Sequence, residues 1–318
     1  MVKTKGKKGV QMKKENIVYH YCSLEAFHSI ITSKSFWLFS LDSSNDLEEM
    51  SGAEKMIDNV LKEEKYKSIN KPDYLRQEEF YSLSCTSKRD SALHFNKYAD
   101  NDKGVCFGID TSVFNKYLYI TSKINSFFGY FFFLKVIYND NQKEKEIKKY
   151  LDEKLNYIDQ LEKTNAKGSL ELLIGSFPDE NKDFKDIKDL LRRRTYTTTL
   201  SRFKPKLKIK NYIDESETRM LFCRSQFQLY KDFFPDIYNI IAKSVENLNL
   251  DSSPEFKIMS GVIRKYIELK MDAIWYKQPI KEVILGPNCK TNIDEFKEFL
   301  KSNDVSCEVE PSNIKNRK

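Results

Sequence analysis

The sequence predicts an α+β fold, with mixed or antiparallel central sheets and a helical insertion. Three observations lead there. Short runs of aromatic and β-branched residues recur from Ile17 to Val309. They lack the regular alternation with helices that a doubly wound parallel sheet requires. Between residues 140 and about 203 the texture becomes Lys/Glu-rich, with Leu151, Leu155, Ile158 and Leu161 at helical spacing.

The elements follow in order. Residues 1–15 are polar and basic and predict a disordered tail. Ile17–Tyr21 is a first strand, and Ser23 is placed to cap a helix with Glu25 in its first turn and Leu24, Phe27, Ile30 and Ile31 on one face. Phe36–Phe39 is a second strand. Ser43–Asp46 is a turn and cap cluster before a helix running to about Lys65. Phe80–Cys85 is a third strand, Asp90 opens a short helix carrying His94 and Tyr98, and Gly104–Ile109 is a fourth strand. Phe131–Tyr138, almost unbroken in apolar residues, predicts a strand buried on both faces.

After the insertion, strand character returns at Glu217–Phe222. A helix near 228–246 and an alternating run from Phe256 to Leu269 follow. Ile280–Leu285 is a strand stopped by Gly286-Pro287-Asn288, Asp294–Leu300 a helix, and Val305–Val309 a final edge strand. The predicted organisation is a tail over 1–15, one α+β domain over 16–300 with its insertion at about 140–203, and an edge strand with a basic tail over 301–318.

Composition narrows the classes of function. The chain has 318 residues and 40% hydrophobic content, enough for a sizeable core. With 22 Phe and 18 Tyr against 10 Gly and 8 Pro, it does not read as a disordered polymer. The formal charge of +7 is modest and gathers partly at the ends, so it permits a nucleic-acid partner without demanding one. The six cysteines form no CxxC pair, which predicts reduced thiols in a cytoplasmic protein and no metal site. The richest apolar run, Phe127–Ile137, contains Lys135 and is too short to cross a bilayer; Met1–Lys14 has no apolar signal core. No GxGxxG or GxxxxGK is present, which argues against a Rossmann or P-loop site.

Three stretches resemble the bacterial family named domain of unknown function 2971. The first is Val18-Tyr19-His20-Tyr21-Cys22-Ser23 with Phe36-Trp37-Leu38 and Ser44-Asn45-Asp46. The second is Ser84-Cys85-Thr86-Ser87 with Leu93–Asp100 and Gly104–Gly108. The third is Glu217-Thr218-Arg219-Met220 with Ile284-Leu285-Gly286-Pro287. His94 stands where that pattern has Trp, Leu47 where it has Pro, and Thr218 where it has an aromatic residue.

More distantly, the layout is similar to the ADP-ribosyltransferase superfamily. That resemblance implies NAD as co-substrate, with sheets of the ADP-ribosyltransferase type. It assigns His20 on the first strand to the NAD ribose and amide, with Tyr21, Ser23, Asn45 and Asp46 beside it. Tyr81 and Tyr98 both qualify to stack the nicotinamide ring, and Glu217 is the catalytic carboxylate. It also implies a macromolecular acceptor, nucleic acid or protein, in a toxin or phage-defence setting.

The chemistry fits those residue types. Breaking the nicotinamide–ribose bond develops oxocarbenium character, which a carboxylate stabilises. Strand alternation puts Glu217 and Arg219 on one face, so Arg219 either holds Glu217 or binds a diphosphate. His94 and Tyr98, four apart on a helix, share a face that packs the core or walls the site. NAD hydrolysis is the variant in which water accepts. Two further readings are a non-catalytic nucleic-acid-binding module using the basic ends and Arg192–Arg194, and a partner-binding protein docking a regulator through its helical insert.

Overall fold

The structure, a computed structural model, describes residues 16–43, 47–69, 71, 79–114, 131–163, 184–224, 248–250, 252–259 and 261–314. The basic tail, Asn45, Asp46 and the expected helix near 228–246 lie outside those residues.

β1 (Ile17–Cys22) leads into α1 (Leu24–Ser33) through Ser23, whose Oγ accepts a hydrogen bond from the Ala26 amide at 3.2 Å. Phe27 and Ile31 bury one face of α1. Lys34 ends the helix in the left-handed region, φ 49°, where its amide closes on the Ile30 carbonyl. β2 (Ser35–Ser40), α2 (Leu47–Leu61), β3 (Phe80–Thr86), α3 (Ala92–Tyr98) and β4 (Val105–Asp110) follow. β5 (Phe131–Lys135) is shorter than its apolar run, and its strand pairing is with β6 (Glu217–Cys223). β7 (Glu255–Met259) and β8 (Val262–Lys270) form a hairpin from what reads as one alternating run; Gly261, at φ 78°, takes the turn. β9 (Ile280–Leu285) and β10 (Glu308–Pro311) complete the sheet.

Among the described residues, ten strands order as β10-β9-β4-β1-β3-β2-β8-β7, with β6 paired to β3 and β5. Most pairings are antiparallel; β10 lies parallel to β9. The class is therefore α+β with a mostly antiparallel sheet.

One feature of this topology makes the site. One edge of β3 is shared by two strands: β2 pairs at Ser82 and Tyr81, β1 only at Thr86. Between those pairings the sheet splits, and among the described residues Leu83–Cys85 has no strand partner on that edge. The other edge of β3 is fully zipped to β6, from Phe80↔Cys223 to Thr86↔Glu217.

The main core packs α1 and α6 (Ile293–Ser302) on one sheet face, with Phe36 stacked on Phe107 and Phe27 tilted against it at the centre. The described part of the insertion comprises α4 (Asp140–Lys163) and α5 (Phe184–Phe203), packed with α2 around Ile57, Ile147, Leu151 and Tyr196. Its exit returns the chain beside β5: the Ile137 amide bonds the Lys206 carbonyl, and the Lys208 amide bonds the Ile137 carbonyl. A 3₁₀ turn, Lys210–Glu215, then delivers the chain to β6. Gly104 and Gly286 let two loops touch: a Cβ on Gly286 would meet the Asp102 carbonyl oxygen at 2.3 Å, and one on Gly104 would meet that of Cys22 at 2.2 Å. Among the described residues, no helix is long and apolar enough to cross a membrane.

Candidate functional site

A pocket of about 470 Å³ opens at the split. His20, Ser84, His94, Lys97, Tyr98, Lys208, Tyr212, Glu215, Glu217 and Arg264 are among its lining residues.

Strand parity alone would separate His20 from Glu217. His20 pairs with Phe107 and makes an edge contact with its ring, so its Cβ points to the main core face. Glu217 pairs with Thr86 on the opposite face. The two reach one pocket because β1 leaves β3 there. Ser84 loses a strand partner on that edge, and His20 Nδ1 lies 2.8 Å from its carbonyl oxygen, satisfying a group that the sheet leaves over. The Ser84 hydroxyl in turn donates to Glu217 Oε1 at 2.7 Å. Ser84 thus links imidazole and carboxylate through its backbone and its side chain. Burial holds the His20 imidazole below its usual range, so the ring is neutral at pH 7.

Glu217 is anchored by Arg219, whose Nε and Nη2 donate to Oε1 and Oε2 at 2.9 and 3.2 Å. Lys208 Nζ adds a contact to Oε2 at 3.1 Å. Burial alone would raise this carboxyl; the Arg219 guanidinium outweighs it, with help from Lys208 and Ser84, and holds it at about 2. The carboxylate is ionised throughout the physiological range.

A second carboxylate, Glu215, sits two residues earlier. Ser216 between them is left-handed, φ 45°. Lys97 donates to Glu215 Oε1 at 2.6 Å, Tyr98 donates its hydroxyl to the same oxygen, and Lys208 donates to Oε2 at 2.9 Å. Burial opposes ionisation of Glu215, but Lys208, Lys97 and Tyr98 together pull it below the usual range. His94 is buried, with Nδ1 2.8 Å from Ser91 Oγ and Nε2 3.0 Å from the Glu215 carbonyl oxygen. Of the two roles open to the His94–Tyr98 face, walling the pocket is the one observed.

Several expected binding residues have other work. Tyr81 is fully buried in the main core, on the β3 face away from the pocket, so no ring face is available to a ligand. Tyr98, 40% exposed, lines the pocket. Arg219 is buried at 2% exposure; its Nη1 bonds the Pro205 carbonyl while its other nitrogens hold Glu217, so it is a positioning residue and not a diphosphate ligand. Ser23 is committed to capping α1. Tyr21 contributes a ring wall, but its hydroxyl donates to the Lys88 carbonyl and accepts from the Ser91 amide, fixing the loop before α3. Asp90 does not cap α3. Its carboxylate accepts from Ser312 Oγ and the Asn313 amide, and Ser91 takes the cap position.

Ser84, Lys97, Lys208, Tyr212, Glu215 and Arg264 line the pocket without having been expected there from the sequence. Lys204, Lys206, Lys208 and Lys210 alternate along the exit of the insertion, a periodic basic signal that singles out that segment. The Glu215–Glu217 spacing was legible as a pair of carboxylates flanking one turn residue.

Residues 95–220 match a family model. Its description is "Protein of unknown function (DUF2971)". The DUF2971 segment covers less than half of the chain. It begins in α3, passes through the insertion and ends inside β6, taking in Lys97, Tyr98, Lys208, Glu215, Glu217 and Arg219. His20 and Ser84 precede it. The DUF2971 description names no activity, and no curated protein or solved structure gives a significant match.

Proposed function

We propose that this pocket cleaves the nicotinamide–ribose bond of NAD and passes ADP-ribose to a macromolecular acceptor, nucleic acid or protein. The observation that carries the reading is the Ser84 bridge, which sets a neutral imidazole and a permanently ionised carboxylate around one cavity. The cavity fits the chemistry of the substrate. Lys97, Lys208 and Arg264 line the cavity with three positive charges against two negative ones from Glu215 and Glu217, a surplus of +1 that favours an anionic ligand such as a diphosphate diester.

In this reading Tyr98 packs against the nicotinamide ring and His20 orients the ribose. As the C–N bond breaks, its electron pair departs with neutral nicotinamide. Positive charge develops on the ribosyl carbon, and the Glu217 carboxylate, fixed by Arg219, stabilises it. The acceptor nucleophile bonds to that carbon and releases its proton to solvent. Where water is the acceptor, the same steps amount to NAD hydrolysis.

Incubation with NAD labelled in the adenylate phosphate tests the proposal. Nicotinamide should be released, with label on protein or nucleic acid for transfer, or in free ADP-ribose for hydrolysis. Glu217→Gln should reduce the rate at least 100-fold. Because that change strands buried Arg219, Tyr98→Ala, at a half-exposed position, serves as the second variant and should reduce it at least 10-fold. Absence of nicotinamide with every acceptor class would overturn the reading.

A further inference from the structure

We propose that Lys97 and Lys208 form the diphosphate subsite of this pocket, and that a bound diphosphate uncovers Glu217 by drawing Lys208 away. The inference rests on the NAD reading and adds a substrate requirement to it.

Three observations carry it. First, the two ammonium groups are held together. They bond the two oxygens of one carboxylate, Glu215, at 2.6 and 2.9 Å, and lie 5.1 and 4.8 Å from the centre of the Tyr212 ring between them. Lysine binds phosphate as a point charge, and two such charges suit two linked phosphoryl groups.

Second, Glu217 has no open acceptor position. Oε1 takes Ser84 Oγ and Arg219 Nε; Oε2 takes Arg219 Nη2 and Lys208 Nζ. A ribose hydroxyl can reach the carboxylate only if a donor leaves. Ser84 and Arg219 are fixed on paired strands, and Arg219 is further tied to Pro205. Lys208, on the segment between insertion and β6, has its backbone amide held by the Ile137 carbonyl, but its ammonium ends a long flexible stem, so it is the donor of these three that can swing away while the chain stays in place.

Third, an ammonium 3.1 Å from Glu217 opposes a cationic transition state at the same carboxylate. Moving Lys208 onto a diphosphate removes that opposition and lends its charge to the ligand. The pocket thereby links recognition of the phosphates to exposure of the reacting carboxylate. Sugar substrates without a diphosphate should meet a capped Glu217 and turn over slowly in kcat, beyond any effect on KM.

The test has two arms. Calorimetric titration with inorganic pyrophosphate and with ADP-ribose compares wild type, Lys208→Met, Lys208→Arg and Lys97→Met. Both Met variants should weaken binding at least 10-fold and Lys208→Arg should retain most of it. If Lys208→Met does not fold, Lys97→Met, at an exposed position, carries this arm. Wild type that fails to bind pyrophosphate, or Met variants that bind as wild type does, overturns the subsite. The second arm compares kcat for NAD and for nicotinamide riboside. NAD cleaved with an equal kcat for the riboside overturns the uncovering of Glu217 and leaves the NAD reading standing. Pyrophosphate binding that depends on both lysines, with no cleavage of NAD, overturns the NAD reading and leaves the subsite standing.

Discussion

Glu217 and Arg219 illustrate what one pair of residues decides. Period-two alternation makes them neighbours on β6, and the register with β3 puts Ser84 directly opposite Arg219 and diagonal to Glu217 on the same face. Burying the pair carries a desolvation cost that only mutual contact offsets, so removing one member is expensive. Glu217→Gln should destabilise the fold by about 3–5 kcal/mol in denaturant unfolding, from the uncompensated Arg219 charge. The pH dependence has a definite sign. The folded pKa of Glu217, about 2, lies below its ordinary 4.5. Its stabilisation is therefore complete above about pH 4.5 and is lost as pH falls towards 2. The contribution is on the order of 3 kcal/mol and should disappear in Glu217→Gln, flattening the acid limb of the stability profile. Parity was readable from sequence at this scale, but not which parity faces the core. That is why Tyr81 and Tyr98 were equivalent in the sequence and are not in the fold: Tyr81 shares a face with Leu83 and Cys85, which packs on the main core.

Elements were legible where local chemistry is strong. The Ser23 cap, the acidic first turn and the apolar face of α1 stand where the sequence puts them. Boundaries failed where long-range pairing decides. The run from Phe256 to Leu269 alternates without interruption, yet Gly261 folds it into β7 and β8. The last strand begins at Glu308 rather than Val305, because Val305 is buried in the main core beside α6 and pairing with β9 starts only at Glu308↔Glu282. Contact between loops is equally invisible in sequence. Gly286 follows β9 and donates its amide to the Gly104 carbonyl at 2.9 Å. Gly286→Ala would press a methyl into the Asp102 carbonyl and should lower stability by about 2 kcal/mol or more, measured as a shift in the urea midpoint at unchanged slope. A stability equal to wild type would contradict the close approach.

The whole molecule contributes what no segment contains: a sheet that splits. β1 and β2 are successive strands that both reach β3, and they diverge across Leu83–Cys85. The segment between the insertion and β6 then closes the opening with Lys208, Tyr212 and Glu215. This is a product of topology, so the sequence could nominate His20 and Glu217 but not the Ser84 link between them. The C-terminal segment is part of the same assembly. Arg89 bridges Glu282 on β9 and Glu310 on β10, Tyr19 donates to Glu282, and Asp90 holds Ser312 and Asn313. Asp90→Ala should speed amide hydrogen exchange over residues 308–314 at least 10-fold while leaving β3 and β6 protected. Unchanged exchange there would show that the tail is held by β10 pairing alone.

The central claim is that the pocket at the split consumes NAD, and chromatographic measurement of nicotinamide after incubation of purified protein with NAD tests it most directly. Wild type should release nicotinamide, and Tyr98→Ala should do so at a rate at least 10-fold lower with its melting temperature near wild type. NAD recovered intact with every acceptor supplied, or equal release by wild type and Tyr98→Ala, would contradict it.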